Sequence, residues 1–206
     1  MNIDHLVYAV PDLETGLSNM EVLLGVRPVI GGHHPDFGTH NALLSLGTST
    51  YLEVIAPDPD LPTPGRGLPF GITRGQQPRI ATWALRTESI HELADAAVAA
   101  GINIGTIASG NRRKPDGTLL SWELSDPYVM PFGGAIPFLI SWGETPHPAS
   151  ATPRAGDLIG FRIEHPEAES VRAAVSALDS EVEIAKSGQY KLIATIKTRH
   201  GIVELQ

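Results

Sequence analysis

From Asn2 to Asp58 the apolar side chains change period in a set order. Asp4 to Val10 is an apolar run that alternates imperfectly, which predicts a strand ending at Pro11, with a histidine, His5, at its start. Asp12 stands where a helix N-cap belongs, and Leu13, Leu17, Met20, Leu23 and Leu24 fall near helical spacing before Gly25 stops the run. Val26 to Ile30 predicts a short strand. Gly31 to Gly38, with its glycines, histidines and proline, predicts a polar loop suited to a lid. His40 to Leu46 and Thr50 to Ile55 flank Gly47-Thr48-Ser49 and predict a tight antiparallel hairpin, completing a βαβββ unit.

Pro57 to Pro78 is dense in proline and glycine, so it predicts a connector with no regular element longer than a turn. The order then restarts. Arg79 to Thr87 predicts a strand, Ser89 to Ala100 a helix with Ser89 and Glu92 as a capping box, and Gly101 its stop. Ile104 to Ala108 and Leu119 to Leu124 predict strands around a turn from Arg112 to Gly117, and Ile136 to Trp142 closes a second βαβββ unit. After a Pro-rich spacer, Thr145 to Pro153, the pattern returns in shorter form. Leu158 to Glu164 predicts a strand, Glu167 to Leu178 a helix, and Val182 to Ala185, Leu192 to Thr198 and Ile202 to Leu205 three strands. Glu204 echoes the position of Glu53. The expected organisation is one domain over residues 1–145, built from units 1–58 and 79–143, with a third βαβββ-like unit over 155–206 packed on it.

Composition narrows the chemistry. The 206 residues suffice to bury a core, and the absence of cysteine removes disulfides, thiolate nucleophiles and zinc-thiolate sites. Any metal must therefore be held by histidine and carboxylate. A formal charge of -8 argues against a nucleic-acid footprint, and Arg112-Arg113-Lys114 reads as a solvated loop. No stretch has the roughly twenty apolar residues of a membrane span, and Met1 to Asp4 does not open a secretion signal, so the expected compartment is cytoplasmic. Phosphate-cradling loops and the Gly-x-Ser-x-Gly elbow are both missing.

The residues Asp4-His5-Leu6-Val7-Tyr8-Ala9-Val10-Pro11-Asp12-Leu13, Gly38-Thr39-His40-Asn41, Tyr51-Leu52-Glu53-Val54-Ile55-Ala56 and Pro115-Asp116-Gly117 with Leu120-Ser121-Trp122 resemble the vicinal oxygen chelate superfamily, in its glyoxalase-like branch. The resemblance implies an α+β fold in which repeated βαβββ units form a half-open β cup with helices outside, here with a third C-terminal unit. It implies a small-molecule enzyme of lyase, isomerase or dioxygenase type, or alternatively a non-catalytic binding or resistance protein of the same fold. A small organic molecule is the expected partner, and the strand edges of such cups favour a homodimer.

By position, His5 and Glu53 match the first unit's two metal ligands, for a divalent ion such as Zn, Mn, Mg, Fe or Ni. The second unit offers Ile80 and Phe138 or Leu139 instead of ligands. The same pair also suits acid-base catalysis, or a hydrogen bond that merely satisfies two half-buried polar groups. His40 is the candidate third ligand. Counting from the Gly47 turn places Leu43 or Leu44 opposite Glu53, which leaves His40 roughly 10 to 13 Å away along the strand. The expected substrate-binding residues are Thr39, His40 and Asn41 at the rim, Arg79 for a carboxylate, and Trp83 and Trp122 in the pocket wall. His33, His34 and His147 lie in predicted loops and receive no role.

Overall fold

The computed structural model describes residues 2–113 and 119–206. Lys114 and the motif Pro115-Asp116-Gly117 lie outside the described residues. The first strand, β1 (Ile3–Ala9), is buried along its whole length, and the helix α1 (Leu13–Leu24) follows it. Asp12 caps α1 by accepting from Thr15 N at 2.8 Å, and Gly25 ends it in the left-handed region at φ 77, so both local signals act as expected. Strands β2 (Val29–His34), β3 (Thr39–Ser45) and β4 (Tyr51–Pro57) complete the unit.

The predicted loop from Gly31 is therefore half strand. Antiparallel pairing with β3 carries β2 through to His34, across a bulge between Ile30 and Gly32. That pairing comes from the neighbouring strand, and no local periodicity announces it.

β5 (Arg79–Arg86), α2 (Ile90–Ala99), β6 (Ala108–Arg113), β7 (Leu119–Leu124) and β8 (Phe138–Ser141) continue the chain. Ser89 makes no capping hydrogen bond. With ψ at 65 it does not aim its hydroxyl into the helix, and its own N–H donates to Thr87 Oγ1 at 3.1 Å. The strand expected at Ile104 begins only at Ala108, because Ile102 and Ile104 are buried as plugs in the core. Eight strands form one curled sheet in the order β2-β3-β4-β1-β5-β8-β7-β6. β9 (Gly156–His165), α3 (Ala168–Ala177), β10 (Glu183–Lys186), β11 (Lys191–Thr198) and β12 (Gly201–Leu205) supply a second sheet, ordered β10-β9-β11-β12. Glu204 is exposed beside Arg162.

The period of two along β1 separates two cores. Leu6, Tyr8 and Val10 face a convex core shared with α1, Leu52, Val54 and the second sheet, whereas Val7 and Ala9 face the concave side with Ile55, Phe138 and Ile140. Trp83 pairs with Leu6 and so faces the convex core. It is fully buried there, donates its indole N–H to Ala135 O at 3.0 Å and packs on Phe161 of β9. The expectation that Trp83 lines the pocket is corrected by this register.

Candidate functional site

The concave face of the large sheet encloses a cleft of about 640 Å³, counted out to its open mouth. His5, Glu53, Thr39, Asn41 and Trp122 all line it, as expected. His40 and Arg79 do not. His40 points to the opposite face of β3, between two residues that face inward, and Arg79, paired with Ala9, donates to Gly71 O at 3.0 Å without lining the cleft. Leu43 stands opposite Glu53, and His40 opposite Ala56, as the counting from the Gly47 turn required.

The centre of the site is a buried carboxylate. A register shift between Ile3 and His5 interrupts the β1–β5 ladder at Asp4, so Asp4 and His5 lean together although they are neighbours on a strand. Asp4 Oδ1 lies 2.7 Å from His5 Nδ1, while Asp4 Oδ2 accepts from Trp142 Nε1 at 3.0 Å and lies 2.9 Å from His147 Nε2. Ala149 N donates to His147 Nδ1 at 3.3 Å, which assigns the His147 proton to Nε2 and makes it a donor to Asp4. Burial works against the Asp4 charge, but hydrogen bonds from His147 and His5 outweigh it and hold the carboxyl far below its usual range. An acceptor-only carboxylate at Oδ1 likewise fixes the His5 proton on Nδ1 and leaves Nε2 as a lone pair.

That Nε2 faces Glu53 Oε2 at 3.8 Å, just beyond hydrogen-bond distance. Tyr51 stacks on the His5 ring at 4.5 Å and Phe138 meets it edge-on at 5.3 Å, so the imidazole has a fixed plane. Asn41 Nδ2 donates to Glu53 Oε1 at 2.5 Å and sets the carboxylate's orientation. Room for Asn41 depends on Gly31, since a Cβ there would lie 2.2 Å from Asn41 Oδ1. We expect Gly31→Ala to push this amide off Glu53 and cost about 1 to 3 kcal/mol, read as a lower Tm, whereas Gly65→Ala, in open space, should leave Tm unchanged.

Two segments without a strand or α-helix close the cup. The connector places Pro69 and Phe70 over the concave face, with Phe70 N bonded to Pro127 O at 2.8 Å and its ring 5.0 Å from Phe138. The Pro-rich spacer is not a free linker. Ser45 holds its C-terminal end, with Ser45 N donating to Pro153 O at 2.8 Å and Ser45 O accepting from Ala155 N just beyond it at 3.0 Å, and Ala149 is buried against Leu43 and Tyr51. This seats His147 on Asp4, a role that its place in a predicted loop concealed. The predicted lid also reaches the cup, through His34 and Phe37.

A divalent ion does not find a complete set of ligands at His5 and Glu53. They offer one nitrogen and one oxygen, and the strands beyond His5 present Ala84 and then Phe138. Among the described residues, no third imidazole or carboxylate joins the pair, whereas an open catalytic site uses three protein ligands.

A family model described as a glyoxalase-like domain matches residues 3–178. No curated protein sequence matches the chain. Among solved structures, a hypothetical protein from Staphylococcus aureus has a TM-score of 0.68 at 14% identity, covering 99% of this chain and 98% of its own. Methylmalonyl-CoA epimerase from Mycobacterium tuberculosis has a TM-score of 0.44 at 19% identity, covering 73% of this chain and 92% of its own. The first likeness spans both sheets and is one of fold.

Proposed function

Because the chain belongs to the glyoxalase-like domain family of the vicinal oxygen chelate superfamily, we propose that its cup is the active site of a small-molecule enzyme, an isomerase or lyase that moves a proton on a compact carbonyl compound. The observation that carries this is the Asp4–His5 contact, which commits Nδ1 to a buried carboxylate and turns Nε2 toward Glu53 and the cleft. His5 Nε2 is the base. It takes a proton from the carbon next to the carbonyl and leaves an enolate on the substrate. The imidazolium so formed lies between two carboxylates, Asp4 and Glu53, whose attraction is strongest in a site that excludes water. With an α-hydroxy carbonyl compound, return of the proton from Nε2 to the former carbonyl carbon, as the hydroxyl proton passes to the former carbonyl oxygen, completes an isomerisation; with a β-substituent, its departure from the enolate with the bonding pair completes an elimination. Glu53 is the partner that holds the proton-bearing ring, and Asn41 positions Glu53.

The walls suit such a substrate. Trp122, Leu124, Phe138 and Ile140 are apolar, and polar groups gather on the side of His5, Asn41 and Glu53, the pattern by which small organic ligands are oriented.

The test is proton exchange. The full chain is incubated in D2O with small 2-oxo acids, hydroxyketones and acyl thioesters, and NMR follows the carbon next to the carbonyl. Exchange of at least one compound, faster than in buffer, is expected. Compounds that bind but never exchange would instead favour the second reading, sequestration, which the aromatic lining from Phe70, Trp122 and Trp142 also accommodates.

A further inference from the structure

On the face of the sheet opposite the cup lies a second group of polar side chains, which the proposed chemistry does not use. His33 and His40 are directly opposed on the antiparallel strands β2 and β3, so their side chains emerge on the same side, with ring centroids 5.8 Å apart. Asp58 follows the end of β4, two residues beyond Ala56, the partner of His40, and its carboxylate Oδ2 lies 2.5 Å from His33 Nδ1. One ligand atom from each of the three residues falls within 4.8 Å of the others. We propose that His33, His40 and Asp58 form a binding site for a divalent transition ion, of the zinc or nickel class, separate from His5 and Glu53.

Two imidazoles and one carboxylate are the donors that borderline ions select over magnesium or calcium, which prefer oxygen alone. The distances are close to those required. Metal–nitrogen bonds of about 2.0 to 2.1 Å put tetrahedral ligands about 3.3 Å apart, so each pair of donors needs to move by about 1.5 Å or less. Asp58 is a prepared ligand. Its side chain is fully buried, its backbone N–H donates to Gly38 O at 3.0 Å, and Asp60 N donates to its second oxygen at 3.0 Å. His33 stands at the open end, its side chain 61% exposed, which leaves a coordination position for water. Asp12 and Asp60 are also near enough to act electrostatically on His40, and their charge favours a cation.

The location gives the ion a consequence. His34 and Thr39, the neighbours of His33 and His40 in sequence, bond to each other at 3.0 Å and line the cup. An ion held by His33, His40 and Asp58 ties this hairpin to the head of the connector that crosses the mouth. It is a clamp behind the rim, with no contact to the reacting atoms.

The test uses tag-free full chain, stripped with a chelator and titrated calorimetrically with zinc and with nickel. One ion per chain is expected. Affinity should fall at least about tenfold in His33→Ala and in His40→Gln, and remain in His5→Asn and Glu53→Gln. Cobalt should give a visible d–d spectrum in the wild type that His33→Ala removes. Since His33 is largely exposed, that variant is expected to fold, which keeps the test decisive if Asp58→Asn does not. Absence of binding at micromolar metal, binding unchanged in His33→Ala and His40→Gln, or binding that disappears with Glu53→Gln overturns the site.

Discussion

His5→Asn is expected to lower the rate of proton exchange by about 100- to 10,000-fold while leaving the fold in place. Asparagine puts its amide nitrogen near the position of the imidazole Nδ1, so it can still donate to Asp4, which accepts from Nδ1 at 2.7 Å. What it lacks is Nε2, the atom that faces Glu53. At about 1.36 kcal/mol per factor of ten, the loss corresponds to roughly 3 to 5 kcal/mol of transition-state stabilisation, within the range that one positioned base supplies. Binding of a compound that still occupies the cleft should change far less, because Trp122, Leu124 and Ile140 are untouched. Near-wild-type exchange in His5→Asn would remove His5 from the chemistry. Exchange lost together with binding would point to a role in holding the ligand.

The parts of the molecule legible in the sequence are those whose causes are local. Asp12 and Gly25 bound α1 because a cap and a left-handed stop act within one turn, and β7 over Leu119–Leu124 follows from its own composition. The strand through Gly31 to His34 was hidden because β3 creates it. The face of Trp83 was hidden for a related reason. Whether an indole on β5 points into the cup or the convex core depends on its pairing with Leu6, set by a bulge at Asp4. The candidate site divides in the same way. His5 and Glu53 stand out as residue types on apolar strands, but the group that gives His5 its tautomer is Asp4, read only as part of a motif. The residue that completes Asp4, His147, is 143 positions away in what reads as a spacer. Pro-rich composition signals an irregular backbone. It carries no information about where the backbone is tied down, and here Ser45 of β3 ties down its C-terminal end.

Asp4→Asn should have the largest effect on stability of any polar substitution in the cup. Three ring N–H groups, from His5, His147 and Trp142, converge on one fully buried carboxylate. An amide has one acceptor oxygen, and its NH2 would meet one of these donors head-on. Leaving a buried donor unpaired costs about 1 to 3 kcal/mol, and breaking a buried charged pair about 3 to 5, so we expect a loss near 3 kcal/mol at neutral pH. The pH dependence separates this from simple misfit. The folded-state Asp4 carboxyl sits far below the ordinary value of 3.8, so its contribution is complete above the unfolded carboxyl's pKa and declines as pH falls below it. Asp12 and Asp58, also depressed, add to the acid sensitivity of both proteins and cancel in the comparison. In denaturant titrations the gap between wild type and Asp4→Asn should therefore be constant from pH 7 to about pH 5, then narrow by up to about 1.4 kcal/mol per pH unit below about pH 4. A gap of constant size down to pH 3 would mean that Asp4 acts through shape and not through its charge. His5 would then lose the electrostatic partner on which its role as a base depends.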